Sequence, residues 1–245
     1  MSSTKIALKK EIQELILPSD YSVDLAEETG IHIGDGCMNI YSSNNGGVYT
    51  YSGHAIDDFD FSIYVKHLIK KLYNLYPSYE RVQKNTILLA YTRNELIRFK
   101  CKLGLPLGPK KDIKIPKWII LRRDYKIACL RGIFATDGCL IFQKKYKNIN
   151  YYPKLSISSK SEILINQINT IFNELGIKSK ISYDGRITPR HPNKIWLVYL
   201  YGVKNLENFV KIIGFCNPKQ LRKYEEWKNS VGGGIRARDL NPCSI

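Results

Sequence analysis

The chain has 245 residues, with 38 Lys and Arg against 22 Asp and Glu, a formal net charge of +16 and an apolar fraction of 44%. That apolar share is ordinary for a folded protein and excludes intrinsic disorder as the general state. The length allows one large domain or two of roughly 100 residues, and no apolar run approaches the ~20 residues of a membrane-spanning helix.

The longest apolar run, Ile195 to Val203, reads as a buried strand. The N-terminal MSSTKIALKKEIQELIL interleaves charges with its apolar positions, unlike a signal peptide. An excess of basic groups is most simply met by nucleic acid, whose phosphates reward Lys and Arg by counterion release. The charges are spread out rather than gathered on one amphipathic helix, which disfavours a membrane surface. The six cysteines form no CxxC or other zinc spacing and read as reduced thiols. The expectation is a soluble protein with an anionic partner, cytoplasmic (nucleoid-associated) or organellar.

In chain order, the first strong signal is residues 26–37, AEETGIHIGDGC, a helical stretch ending in Asp-Gly. Two alternating runs follow, CMNIYSS and VYTYSGHA, around Asn44-Asn45-Gly46-Gly47, and predict a β-hairpin. In DFSIYVKHLIKKLYNLY, Val65, Leu68, Ile69 and Leu72 fall at helical spacing. YERVQ and TILLAY predict a second hairpin turning at Lys84-Asn85, and RNELIRFKCKLG a closing helix that stops at Gly104. Residues 107–122 are rich in Pro and Lys and read as a linker.

The pattern then starts again. Residues 128–139, ACLRGIFATDGC, match 26–37 at an offset of 102, pairing Ala26 with Ala128, Gly30 with Gly132, Gly34 with Thr136, Asp35 with Asp137, Gly36 with Gly138 and Cys37 with Cys139. CLIFQKK and YPKLSISS, the helix SEILINQINTIFNELG, then IKSKISY and KIWLVYLY, then KNLENFVKIIG repeat the order of the first half. Phe99 and Gly104 recur 110 residues on as Phe209 and Gly214, the drift falling in the longer loop DGRITPRHPN. Each unit is αββαββα: residues 1–106 form the first repeat and 123–230 the second, with 231–245 an unpatterned tail.

On a helix, positions i, i+4 and i+8 share a face. Ala26, Gly30 and Gly34, and equally Ala128, Gly132 and Thr136, give each motif helix a stripe of small residues, so the two are expected to pack closely about a pseudo-twofold axis. Gly36 and Gly138 are expected in the left-handed conformation that stops a helix. Asp35 and Asp137 then lie in the last turn, where the helix dipole disfavours negative charge by roughly 0.3–1 kcal/mol. Two packed helices ending together would add like-charge repulsion, and a divalent cation would relieve both costs. Hard oxygen ligands in an incomplete protein cage suit Mg²⁺. His32 and His54 have no metal spacing, and Asp184-Gly185 follows a strand and reads as turn chemistry.

Residues 130–138, LRGIFATDG, and more loosely 28–36, ETGIHIGDG, resemble the paired motif of the LAGLIDADG homing endonucleases in their single-chain, two-repeat form. The resemblance implies an α+β monomer of two pseudo-twofold-related αββαββα repeats, whose antiparallel sheets form a saddle on double-stranded DNA. It implies that Asp35 and Asp137 bind divalent metal (Mg²⁺), aided by the backbone carbonyls of Gly34 and Thr136, for phosphodiester hydrolysis of both strands. Lys160 looks like one of the basic residues that tune such a site, with Lys110 and Lys111 weaker candidates.

DNA contacts are then expected from outward residues of the sheets, because alternate residues of an antiparallel strand point out. These are Asn39, Tyr41, Ser43, Arg81 and Gln83 in the first half, and Gln143, Lys145, Lys154, Ser156, Ser158, Lys178 and Lys180 in the second. Arg186 and Arg190, beside His191, would grip phosphates. The alternative is a DNA- or RNA-binding module of the same fold, a repressor or a maturase whose partner is its own intron RNA.

Overall fold

The computed structural model describes residues 14–41, 46–144, 151–185 and 194–232. The first half runs α1 (Val23–Asp35), β1 (Gly36–Tyr41), β2 (Gly46–His54), α2 (Phe59–Tyr73), β3 (Tyr79–Gln83), β4 (Thr86–Thr92) and α3 (Asn94–Lys102). A short α4 (Lys117–Ile120) follows. The second half runs α5 (Arg123–Asp137), β5 (Gly138–Gln143), β6 (Tyr152–Ser159), α6 (Glu162–Glu174), β7 (Lys180–Asp184), β8 (Ile195–Tyr201) and α7 (Val203–Ile212), and α8 (Pro218–Gly232) comes last. The two antiparallel sheets have the same order, β1-β2-β4-β3 and β5-β6-β8-β7. Both halves therefore follow the αββαββα path expected from the repeat. The sequence pattern missed α4 and α8. α8 opens on Pro218, which suits a first helical turn, but it is largely polar, with six of its 15 residues charged, and anchors itself through few apolar residues, among them buried Trp227 stacked on Phe142.

Alternation sets the two faces of each sheet. Met38, Tyr49, Tyr51, Leu89 and Tyr91 point into the core of the first half, as do Leu140, Leu155, Ile157, Val198 and Leu200 in the second. Amphipathic α2 covers the first set with Phe61, Val65, Leu68, Ile69 and Leu72; α6 covers the second with Leu164, Ile165, Ile168, Ile171 and Phe172. The opposite face of each sheet carries no helix-facing apolar set and stays partly exposed.

The halves meet at α1 and α5. Ala26 and Ala128 are fully buried between them. A Cβ on Gly30 would overlap the Cys129 carbonyl oxygen, and one on Gly132 would overlap the Glu27 carbonyl oxygen and lie 2.8 Å from the Ile31 nitrogen. At the offset of 102, Glu27 and Cys129 are equivalent, so each glycine meets the other helix at the same place. This exchange is the mark of a twofold interface. One turn on, Gly34 packs against Thr136, whose hydroxyl donates to its own helix at Gly132 O (3.2 Å) and Ile133 O (2.9 Å). Arg131 ties the halves further, donating to Glu27 Oε2 at 2.7 Å and to Ile213 O at 2.7 Å.

One expectation is corrected. Gly36 and Gly138 are not left-handed: their φ, ψ values are −81°, 153° and −82°, 140°, both extended. Each helix passes straight into a strand without a loop. Glycine is needed there for space, because a Cβ on Gly36 would fall 2.6 Å from His32 Cα and one on Gly138 would overlap the Phe134 carbonyl oxygen.

The halves differ inside. Lys100 is fully buried and ion-paired with buried Glu28, which also accepts from the Tyr73 hydroxyl at 3.0 Å; the ammonium lies 4.1 Å from the Tyr49 ring centroid. The repeat places Leu130 at the position of Glu28, so the second half manages the same site without charge.

Two stability predictions follow from these contacts. Gly132→Ala should cost roughly 3 kcal/mol in urea unfolding, because backbone rather than a side-chain tip must move. Unchanged stability would mean the helices do not cross there. Lys100→Met should cost about 3–5 kcal/mol by stranding the Glu28 carboxylate. Adding Glu28→Leu should recover most of that loss, and failure to recover would show that the pair is not the source.

Candidate metal and nucleic-acid site

Asp35 and Asp137 are the last residues of α1 and α5, brought together by the glycine crossing. Burial pushes the Asp35 carboxyl up to about 7, with the Asp137 charge adding to the rise, Lys110 opposing it and Asp58 adding a little more. Burial pushes Asp137 up to about 6, again against Lys110. Two carboxyls that resist ionisation at neighbouring helix ends form a site short of positive charge.

Lys110 supplies one cation. Its ammonium donates to the carbonyls of His32 (3.2 Å), Ile33 (2.9 Å) and Gly34, where the α1 dipole concentrates negative charge. Burial pulls the Lys110 ammonium down, while Asp137 and Asp35 hold it up. At the end of α5 neutral amides do the same work: Gln220 donates to Phe134 O (2.7 Å) and Gly138 O (3.1 Å), and Asn217 to Ala135 O (2.9 Å).

These groups fit a hard divalent cation. The donors are two carboxylates and a carbonyl, Gly34 O, that already attracts an ammonium. Among the described residues no group of three or more His, Cys, Asp or Glu forms a fuller cage.

A cleft of ≈ 580 Å³ opens beside this point, lined in part by Gly34, Lys110, Lys111, Asp137, Ser158 and Lys160. Lys160, Lys110 and Lys111 therefore line one cleft with Asp137. Lys110, the weaker candidate from sequence, is the lysine that touches the motif helix. Asn217, Gln220 and Asp58 were not singled out at all. A signal for Gln220 existed, since the 110-residue offset that joins Gly104 to Gly214 also joins Lys110 to Gln220.

The strand register places the expected contacts. Asn39 and Tyr41 on β1 and Arg81 and Gln83 on β3 share the open face of the first sheet. Gln143, Lys154, Ser156, Ser158 and Lys180 share the open face of the second, with Lys154 5.4 Å from the Tyr201 ring centroid. Lys178 is exposed just ahead of β7. Ser43, Lys145, Arg186, Arg190 and His191 lie outside the described residues.

Residues 124–214 match the LAGLIDADG-like domain family. The fold of the whole is that of the single-chain, two-domain LAGLIDADG homing endonucleases. I-SmaMI bound to uncleavable DNA aligns with a TM-score of 0.59 at 11% identity, covering 90% of this chain and 95% of that one. I-DmoI in complex with DNA and calcium aligns with a TM-score of 0.56 at 18% identity, covering 83% and 97%. The replication factor C small subunit of Methanocaldococcus jannaschii is 28% identical over 211 residues, 85% of this chain and 10% of that protein. The chain thus spans about a tenth of the length of the curated relative it matches.

The raised carboxyls give a pH dependence with a definite sign. A metal ligand must be ionised, so Mg²⁺ or Mn²⁺ should bind about tenfold more tightly at pH 8 than at pH 6, releasing protons measurable by calorimetry in two buffers. Without metal the sign reverses. The folded Asp35 carboxyl is raised from 3.8 to about 7, so its ionisation costs stability as pH rises through that window. Asp35→Asn should therefore raise the melting temperature of the metal-free protein at pH 8 and leave it nearly unchanged at pH 4.

Proposed function

We propose that this chain is a site-specific endonuclease that cuts both strands of a long, asymmetric DNA target with Mg²⁺, acts as a monomer and promotes the movement of its own coding element. The observation that carries this reading is the pair of half-buried carboxyls at the ends of two crossing repeat helices, set between two sheets with open, polar faces. A decayed binding module has no need to keep two acids where both burial and the helix dipoles oppose them.

In this reading Asp35, Asp137 and the Gly34 carbonyl would hold the cations, which when bound would supply Lewis-acid stabilisation of charge on phosphorus. Lys110, Lys111 and Lys160 draw a phosphate into the cleft and offset its growing charge. The open-face side chains, Asn39, Arg81, Gln83, Gln143 and Lys154 among them, address base edges in the major groove, where amide and cationic groups read distinct donor and acceptor patterns. The remaining positive charge fixes the duplex through its phosphates and makes binding salt-dependent.

The test uses a plasmid carrying the sequence formed by joining the flanks of the coding element. Asp35→Asn and Asp137→Asn should each lower double-strand cleavage at least a hundredfold while gel-shift binding persists. Full cleavage by both variants would remove the carboxyls from the reaction. Binding without cleavage by the unaltered protein in Mg²⁺ would favour the binding-module reading, and splicing of intron RNA would identify a maturase.

A further inference from the structure

An antiparallel sheet presents its open face in rows, because residues in register on neighbouring strands point the same way. Successive rows lie about 6.6 Å apart, twice the rise per residue, close to the ~6.8 Å of two stacked base pairs. The rows can be matched between the halves, since Cys37 pairs with Thr50 and its equivalent Cys139 with Ser156. In the first sheet the outer row is Asn39, Val48 and Thr92, and the row inside it holds Thr50, Ala90 and Tyr79. In the second sheet the same rows read Ile141, Lys154 and Tyr201, then Ser156, Tyr199 and Lys180.

The two faces offer different chemistry. Neither row of the first sheet holds a cation. Its threonines have their hydroxyls engaged inside the protein: Thr92 Oγ1 donates to Ser78 Oγ at 2.7 Å and Thr50 Oγ1 to Cys37 O at 3.4 Å. What remains for a ligand is methyl groups, from these threonines and from Val48, and the Asn39 amide. The second sheet places an ammonium in each row. Lys154 lies 5.7 Å from the Tyr199 ring centroid and 5.4 Å from that of Tyr201, and Tyr201 stacks on Tyr152 at 6.4 Å. The rings fix the ammonium over the sheet and exclude water beside it, a setting in which its hydrogen bonds count for more than on an open surface. Lys180 pairs in register with Tyr199 and is exposed. In the next row toward the helix ends the bias reverses, with Arg81 in the first sheet where the second has Ser182.

We propose that the two half-sites of the bound duplex differ in base class as the two faces do. The outer base pairs under the first sheet are A·T, read through thymine methyls by Val48, Thr50 and Thr92 and through adenine by Asn39. The corresponding pairs under the second sheet carry guanine, read by Lys154 and Lys180. In the major groove an apolar group meets the thymine methyl, an asparagine pairs with adenine N6 and N7, and a lysine with guanine O6 and N7. The proposal rests on the endonuclease reading and adds to it what the asymmetry of the target consists of. The net charge of +16 draws the protein to any duplex, whereas these rows choose among bases. Arg81 marks the place, one row in, where the first half-site takes guanine instead.

The experiment reads binding rather than cleavage. The full chain selects bound duplexes from a library with a randomised stretch, and the selected sequence and its variants are compared by gel shift. The selected sequence should be asymmetric, with one half-site rich in A·T and the other holding guanine at the mirror positions. Lys154 is half-buried on an open face, so Lys154→Met should fold, lower the preference for guanine about tenfold at one position and leave the other half-site unchanged. Uracil in place of thymine in the A·T half-site should weaken binding by the unaltered protein about fourfold per methyl, and the same change in the guanine half-site should have little effect. Val48→Lys with Thr92→Tyr, which copies the row of the second sheet, should bring guanine into the first half-site. A palindromic selected sequence, a guanine preference untouched by Lys154→Met, or indifference to uracil would overturn the assignment and leave site-specific cleavage standing. Binding with no sequence preference at all would overturn the assignment and the site-specific reading together.

Discussion

The fold depends on one contact, the approach of two helix backbones at Gly30 and Gly132. Each glycine lies against a carbonyl of the opposite helix, leaving no room even for a methyl group. The contact fixes the pseudo-twofold axis, sets the sheets on either side of it and brings the two helix ends together. The distance between the halves is thus set by backbone rather than by deformable side chains, which defines a geometry more sharply than apolar packing alone.

That geometry creates an electrostatic debt at the helix ends. Two C-termini and two carboxyls converge in partial burial, and the chain answers in different ways. Lys110 reaches back from the connecting segment to one helix, while Gln220 and Asn217 reach the other. Both are long-range caps supplied after the sheets are complete, so the helix ends are finished only when the whole repeat has folded. The arrangement leaves the carboxyls short of a partner on the open side, where phosphate and hard cations can approach. Binding and charge relief then coincide.

Much of this was legible in the chain. Alternation gave both hairpins in each half, because every strand has one face in the core. The 102-residue offset gave the helix pair, because small residues at every fourth position have few other uses. What the pattern could not show was conformation at Gly36 and Gly138. A glycine that avoids a steric overlap and one that adopts positive φ look alike in sequence, and here the overlap decides. Lys110 carries no such mark, because a lysine in a Pro-rich connection resembles any surface lysine until the fold carries it to the end of α1. α8 escapes the pattern because polar contacts hold it as much as apolar ones: Lys219, Gln220 and Arg222, with Asn217 just ahead of the helix, each pair with a residue distant in sequence.

The loop-free passage from α1 to β1 and from α5 to β5 has a consequence for how such a protein can change. Asp35 is two residues from Cys37 and four from Asn39, and the same interval separates Asp137 from Cys139 and Ile141. The residues on the open face of each sheet and the carboxyl at its start are counted off on one continuous backbone. An inserted or deleted residue in either strand would turn its side chains to the wrong face and strain the acid's position at the same time. Altered preference can therefore come readily from replacing side chains in place, and hardly at all from sliding the strands. The scaffold is tolerant of new letters and intolerant of a new length.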